Sequence, residues 1–385
     1  MKGLPSKEGL LGIPDFLELD HSNATPSYRP VDVKIASSPR PEHVLQLAFY
    51  GLLLGHIQWH SQGHILKHIP QTGDLILADG NRDTIPLHDS LPAVERAIGE
   101  IVEIQNGREE LPTLSSECGM CPWHDHCLEI LQTNQDLSLL NGLSRGRKEA
   151  LNGAGYENLN DIASASPEAL CEVRGIGAIT AERMVLQASV LLQNEPQILS
   201  EPSLPSSEVE LYLDMECQQG SQVIYLIGVL ECTEGEEDFH SFLADSPEEE
   251  EQMWKSFLNY LNGLPDDLTI YHYHHFESTH LRKLADRYGI AKKQEEKLFD
   301  NLIDLHSLLK QAAVLPVYSY GLKTVAKWMG FQWRETGSDA AMSMLWFDLW
   351  LSSGNREFLK LAVDYNEDDC RATKTVREWI EKTLI

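Results

Sequence analysis

Positive charge is what this chain has least of. Its 31 Lys and Arg stand against 59 Asp and Glu, a net charge of −28 over 385 residues. Affinity for a polyanion comes mostly from Lys and Arg, so a general, whole-surface nucleic-acid binder is excluded. A local basic patch, or an acidic site neutralised by cations, is not. Long apolar runs are also missing. None reaches the roughly 18 residues of a membrane span, and the start, Met-Lys-Gly-Leu-Pro-Ser-Lys-Glu, has no signal-peptide core. The cytoplasm is the expected compartment, with no membrane partner. Seven Cys in a chain of this length make no disulfide framework, and residues 1–117 hold none of them. No Gly-x-x-x-x-Gly-Lys-Ser/Thr phosphate loop is present, which argues against a helicase subunit.

What is present divides into three blocks, and the length suits two or three domains. Residues 1–130 mix short strands and helices and end in a Cys cluster. Residues 137–192 read as helical with small Gly turns. Residues 193–208, with three Pro and four Ser, read as a linker. The last block, 209–385, reads as strand 209–216, strand 222–232, helix 247–262, strand 268–272, helix 277–288 and then mainly helices. The chain is thus an α/β multidomain protein. Residues 234–251 carry nine acids and no Lys or Arg, which predicts a solvated stretch.

The most informative chemistry lies in the last block. Asp214 and Glu216 alternate on a predicted strand, so both point to one face. Tyr365 and Asp369 are four apart on a predicted helix and share a face, about 6 Å apart along the axis. Clustered carboxylates repel unless a divalent cation sits among them, and Mg²⁺ or Mn²⁺ prefers oxygen ligands. Glu277, after Ile270-Tyr-His-Tyr-His-His-Phe, is the next candidate, with Asp304 as its substitute. His272, His274, His275 and His280 admit a zinc reading, but hard-metal chemistry fits the acids better and leaves these His on the site rim or the surface. The strand-borne Asp-x-Glu, the later Glu, the Tyr318-Ser-Tyr-Gly-Leu-Lys segment and the Tyr-x-x-x-Asp resemble the DEDD exonucleases. That resemblance implies a ribonuclease-H-like domain with a mixed central sheet at 209–385. It also implies metal ligands at Asp214, Glu216, Glu277 and Asp369, and Tyr365 orienting the attacking water for 3′–5′ exonucleolytic hydrolysis.

Near the start, Asp15 is followed by Asp32-Val-Lys34 on a predicted strand, then by Gln46 and Tyr50 on one helix face. Two carboxylates could hold a metal, and Lys34 could polarise water. In this order the five resemble the PD-(D/E)xK nuclease domain of the RecB family. Cys118, Cys121 and Cys127 have the spacing of the last three ligands of the 4Fe-4S cluster in such nucleases. The family's fourth Cys and first helices have no counterpart here, which implies an N-terminally incomplete, partial PD-(D/E)xK fold at 1–130. The alternatives are a zinc site completed by His124 or His126, or free thiols. In the middle, Gly153-Ala-Gly155 and Gly175-Ile-Gly177 adjoin short helices and resemble the helix-hairpin-helix module, which grips the phosphate backbone. Arg174 and Arg183 could add charge there; the plain alternative is a helical spacer.

All three blocks together resemble the RecB-like putative nucleases with a C-terminal ribonuclease-H-like domain. The resemblance implies a metal-dependent nuclease with DNA, or RNA, as partner, and helicase or repair proteins as candidate associates. The rival reading is a catalytically impaired nucleic-acid-binding or repair-complex scaffold.

Overall fold

In the computed structural model the described residues are all but 1–3, 6–8, 21–26, 37, 57–58, 62–63, 67–68, 116–117, 120, 219–222 and 335–339. Residue 222, the expected first residue of a strand, thus lies outside them. The chain forms two compact units, Met1–Glu110 and Leu111–Ile385.

In the first unit β1 (Phe16–Asp20) and β2 (Ser27–Val33) form an antiparallel hairpin. Strand β2 also pairs in parallel with β3 (Thr72–Ile76), which pairs antiparallel with β4 (Arg82–Pro86). Parallel neighbours need a long crossover, and α1 (Pro41–His56) lies in it. Leu47 and Leu52 of α1 bury against Leu75, Leu77 and Leu87, with Val94 of α2 (Leu91–Gln105) closing the core. Asp32 and Lys34 therefore lie where β2 meets α1.

The second unit begins with five helices: α3 (His124–Thr133), α4 (Arg145–Gly153), α5 (Leu159–Ser164), α6 (Pro167–Cys171) and α7 (Ala178–Gln193). Leu131, Leu151, Ile162, Leu170 and Ala181 form their core, and Leu114 and Leu128 pack on it. Residues 111–130 thus sit with the helices, although the sequence places them with the first block. Gly155 and Gly175 have φ of +90° and +86°, which L side chains rarely adopt, so glycine is required at both hairpin turns. The expected linker is pinned down: Gln197–Ile198 pairs with Ala313–Val314, and the Leu199 N–H donates to the Ala312 carbonyl at 2.8 Å.

Five strands then make a mixed sheet. They are β5 (Val209–Cys217), β6 (Ile224–Thr233), β7 (Glu236–Leu243), β8 (Leu268–His272) and β9 (Leu302–Asp304), in the spatial order β7-β6-β5-β8-β9. The first three are antiparallel; β8 and β9 join in parallel. Central β5 is covered on both faces. Leu211, Leu213 and Met215 meet Trp254 and Phe257 of α8 (Glu250–Gly263), Leu281 of α9 (His275–Tyr288) and Leu298 of α10 (Lys292–Phe299). Tyr212, on the other face, joins a core with Leu309 of α11 (Leu305–Ala312), Val325 of α12 (Leu322–Trp328), and Val376 and Ile380 of α14 (Arg356–Leu384). Alternation puts Asp214 and Glu216 on that second face, toward α14. Helix α13 (Ala340–Ser353) packs on α14 at the same end.

The acidic run is solvated, as its composition suggests, with most of its acids exposed, yet it is also structured: it contains β7 and the start of α8, and two of its acids are tied to distant groups. Glu237 pairs with Arg371 and Lys374 of α14. Glu250, only 1% exposed, accepts from the Ile224 N–H, Arg287 and the Tyr288 hydroxyl, each at 2.6 Å.

Trp254 is fully buried, and its indole N–H donates to the Gly289 carbonyl at 3.1 Å. Trp254→Ala should therefore cost this domain roughly 3–5 kcal/mol, read by circular dichroism in urea; a loss under about 1 kcal/mol would contradict this core assignment.

Candidate functional site

Two elements converge at the site. Strand β5 supplies Asp214 and Glu216, and α14 supplies Tyr365 and Asp369 from the stripe that it buries, which includes Ala362, Asn366, Cys370 and Thr373. Polar side chains in that stripe are the signature of a site placed inside a core. Asp214, Glu216 and Asp369 bring carboxylate oxygens within 4.8 Å of one another, and among the described residues no other group of three His, Cys, Asp or Glu does so.

The electrostatics follow from burial and crowding. Burial and the neighbouring Asp369 push Glu216 up to about 8. Burial raises Asp214 well above the usual carboxylate range, and Asp369, Glu216 and Glu277 push the same way. Burial raises Asp369 to about 6, even though hydrogen bonds from Trp333 and Tyr365 and the charge of Lys323 pull it down. Tyr365 is raised far above its ordinary value by burial and then by Asp369. It is thus a neutral hydroxyl that can orient a water rather than a base.

Residues that the sequence did not single out hold the carboxylates. The Asn366 amide donates to Asp214 Oδ2 at 2.7 Å, and the Trp333 indole N–H donates to Asp369 Oδ1 at 2.6 Å. Ser343, fully buried, bonds Glu216. The Lys323 ammonium lies 4.7 Å from the centre of the Tyr365 ring. Asn366 could have been found from its place beside Tyr365 on the buried stripe; Trp333 and Ser343 carry no local signal. Gly228 stands opposite Asp214 across the β5–β6 ladder, and a Cβ there would meet Asn366 Oδ1 at 1.6 Å. That glycine makes room for the amide.

Glu277, at the start of α9, lies outside the trio. It is 5% exposed, and its Oε2 has no hydrogen bond and faces His272 Nδ1 at 3.5 Å. Burial pushes its carboxyl above the usual range too. An orphaned carboxylate oxygen beside three crowded ones is a donor set that fits a hard divalent cation. Asp304 is committed elsewhere: it caps α11, accepting from the His274 and His306 N–H groups at 2.9 and 3.0 Å and from the Ser307 hydroxyl at 2.5 Å. His272 is 2% exposed, so it is buried against Glu277 rather than on the rim or surface. His274 adopts φ +76° beside it, a strained conformation for a non-glycine residue.

The five residues singled out in the first unit also meet. The Val33 N–H donates to Asp15 Oδ2 at 2.7 Å, and the Asp15 N–H donates to Asp32 Oδ1 at 3.3 Å. Lys34 Nζ pairs with Asp32 Oδ2 at 2.6 Å and donates to Gln46 Oε1 at 2.6 Å. The Gln46 amide donates to the Tyr50 hydroxyl at 2.7 Å, and that hydroxyl donates to the Ile13 carbonyl at 3.2 Å.

The cysteines do not assemble. Cys118, Cys121 and Cys127 are free thiols of one short segment, and with their His neighbours they form no three-ligand group among the described residues. Cys118 Sγ instead accepts from the Ser115 N–H at 3.3 Å. Of the remaining cysteines, expected to be ordinary buried residues, Cys370 is buried but Cys171 is exposed. The donor set here does not fit a four-ligand cluster.

Comparison with known families agrees with this architecture. Residues 211–381 match the RNase_H superfamily, and residues 135–189 match the SAM-like helix-hairpin-helix tandem. The chain thus carries a ribonuclease-H-like domain and a helix-hairpin-helix segment, the parts of a nucleic-acid-binding, nuclease-type protein. No curated protein and no solved structure gives a significant match.

Two outcomes test the site. A carboxyl whose pKa is raised on folding makes the native state bind more protons than the unfolded one, so stability falls as pH rises from the unfolded to the folded value. For Glu216 that window runs from 4.5 to about 8. Metal-free Glu216→Gln should therefore gain thermal stability over wild type at pH 8 and much less at pH 5. Gly228→Ala, which displaces Asn366, should weaken Mn²⁺ binding by calorimetry about tenfold or more, as loss of a group that orients a ligand does.

Proposed function

We propose that this protein is a metal-dependent nuclease, with its catalytic centre in the C-terminal domain at Asp214, Glu216 and Asp369 and with Glu277 as a further ligand. The observation that carries the reading is the buried convergence of these carboxylates, which repel one another without a cation. Bound divalent ions would supply charge stabilisation for both the attacking and the leaving oxygen of a phosphodiester. Around them, Tyr365 orients the water through its neutral hydroxyl oxygen, and Lys323 offers positive charge beside the site. The trio sits toward the end of β5, and the resemblance to the DEDD exonucleases favours removal of nucleotides from a strand end, read here as 3′. The helix-hairpin-helix segment holds the backbone through the N–H groups that open α7 and the nearby Arg174 and Arg183. DNA is the proposed substrate, with RNA sharing the same chemistry.

In the first unit, the Asp15, Asp32, Lys34, Gln46 and Tyr50 chain supports a relationship to the PD-(D/E)xK nucleases. With two carboxylates and its lysine already in an ion pair, it is the secondary centre. No described helix is long and apolar enough to cross a membrane.

Glu277 lying outside the trio favours the rival scaffold reading enough to require a direct test. Mn²⁺-dependent shortening of end-labelled single-stranded DNA and RNA should be lost by about a thousandfold or more in Asp214→Ala, as when a metal-centred step is removed. Cleavage that survives the substitution moves activity to the first unit. Binding without any cleavage by wild type leaves the scaffold.

A further inference from the structure

The nuclease reading leaves open how a strand reaches the carboxylates. A cleft of about 1280 Å³ opens within the second unit, too large for one small ligand. One wall comes from outside the ribonuclease-H-like domain: the cysteine-bearing turn, through Cys118, Gly119, Cys121, Pro122 and His124, and the loop Leu140–Leu143 that leads into α4. The other wall is the start of α12 with Tyr318, and the loop Gly330–Trp333.

Three observations define what this cleft takes. It runs into the site, because Lys323 and Trp333 line it and are also the residues on Tyr365 and Asp369. Its lining charge is the reverse of the chain's: Lys323 and Lys327, one helical turn apart on the same face of α12, line it with one acid, Asp125, and the charge of Lys323 also reaches Glu216 and Asp369 at the site. On a chain with a net charge of −28 such a place is where a phosphodiester can lie. Finally, Tyr318, Phe331 and Trp333 line it as partly exposed rings. Rings of this kind stack on bases whose faces are free, which a strand offers and an intact duplex does not.

We propose that this cleft is the path of a single nucleic-acid strand, and that the loop Leu140–Leu143 and the cysteine-bearing turn form the wall that admits unpaired strands and shuts out intact duplex. The proposal rests on the nuclease reading for what happens at the end of the path, not for the path itself. Duplex remains a ligand of the helix-hairpin-helix segment, and the cleft selects the strand that is cut.

Lys327 and Asn141 are exposed, on opposite walls, and touch none of the carboxylates. Lys327→Glu and Asn141→Glu, each in the full chain carrying Asp214→Ala, are titrated against labelled single-stranded DNA, single-stranded RNA and a blunt DNA hairpin in Ca²⁺. Fluorescence anisotropy reports binding, and circular dichroism confirms the fold. Each substitution should weaken single-strand binding at least fivefold and leave hairpin binding within twofold. Binding of DNA alone or of RNA alone, if sensitive to both substitutions, supports the path and identifies its sugar. Single-strand binding unmoved by either substitution, or hairpin binding that falls in parallel, overturns it. Mn²⁺-dependent cleavage by the otherwise wild-type chain separates the two claims. Cleavage unaffected by both substitutions removes the path and keeps the nuclease; sensitive binding without cleavage removes the nuclease and keeps the path.

Discussion

The repulsion among Asp214, Glu216 and Asp369 is the constraint around which the second unit is arranged. Three carboxylates cannot share a buried space in their charged forms unless something positive joins them. The fold keeps them together at the cost of raised pKa values, and it opposes their separation with rigid parts. Asp214 and Glu216 are fixed by a central strand paired on both sides, and Asp369 lies in the middle of a helix of 29 residues, far from either frayed end. Asn366, Trp333, Tyr365 and Ser343 each satisfy a carboxylate oxygen from a different direction. Such a centre is built before its cation arrives, and the stability of the surrounding domain keeps the acids in place.

The first unit is organised on a different principle. There the lysine is already inside the cluster, so Asp15 and Asp32 are neutralised by Lys34 and by backbone N–H groups. The chain from Lys34 through Gln46 to Tyr50 is satisfied at every link. Asp32 Oδ2 has no hydrogen bond but is paired with the Lys34 ammonium, and an acid paired with a lysine has less need of a cation than acids crowded against one another. The two clusters thus differ in what they lack, and that difference ranks the C-terminal one first.

Much of this was legible from residue order alone. Period-two spacing placed Asp214 and Glu216 on one face, and period-four spacing placed Tyr365 beside Asp369; the five residues of the first unit, from three separate segments, were grouped only by their family resemblance. The two pairs were legible because their side chains are set by single elements whose periodicity is local. What was missed depends on packing between elements. Strand β7 lay hidden in a run of acids because its cations, Arg371 and Lys374, are supplied by α14 more than a hundred residues later. Trp333 and Ser343 reach the centre from a loop and a helix with no motif of their own. Glu277 has the right position in the order, yet the fold aims it at His272. The cysteine segment had a suggestive spacing, but spacing along a chain does not supply a ligand that is absent.

Gly228 and Asn366 meet across the sheet so closely that neither tolerates a change at the other. A side chain at 228 evicts the amide, and removal of the amide leaves a gap beneath Asp214 that the glycine cannot fill. Substitution at these two positions is therefore a single evolutionary event rather than two. In any set of related chains, Gly and Asn should be kept or lost as a pair.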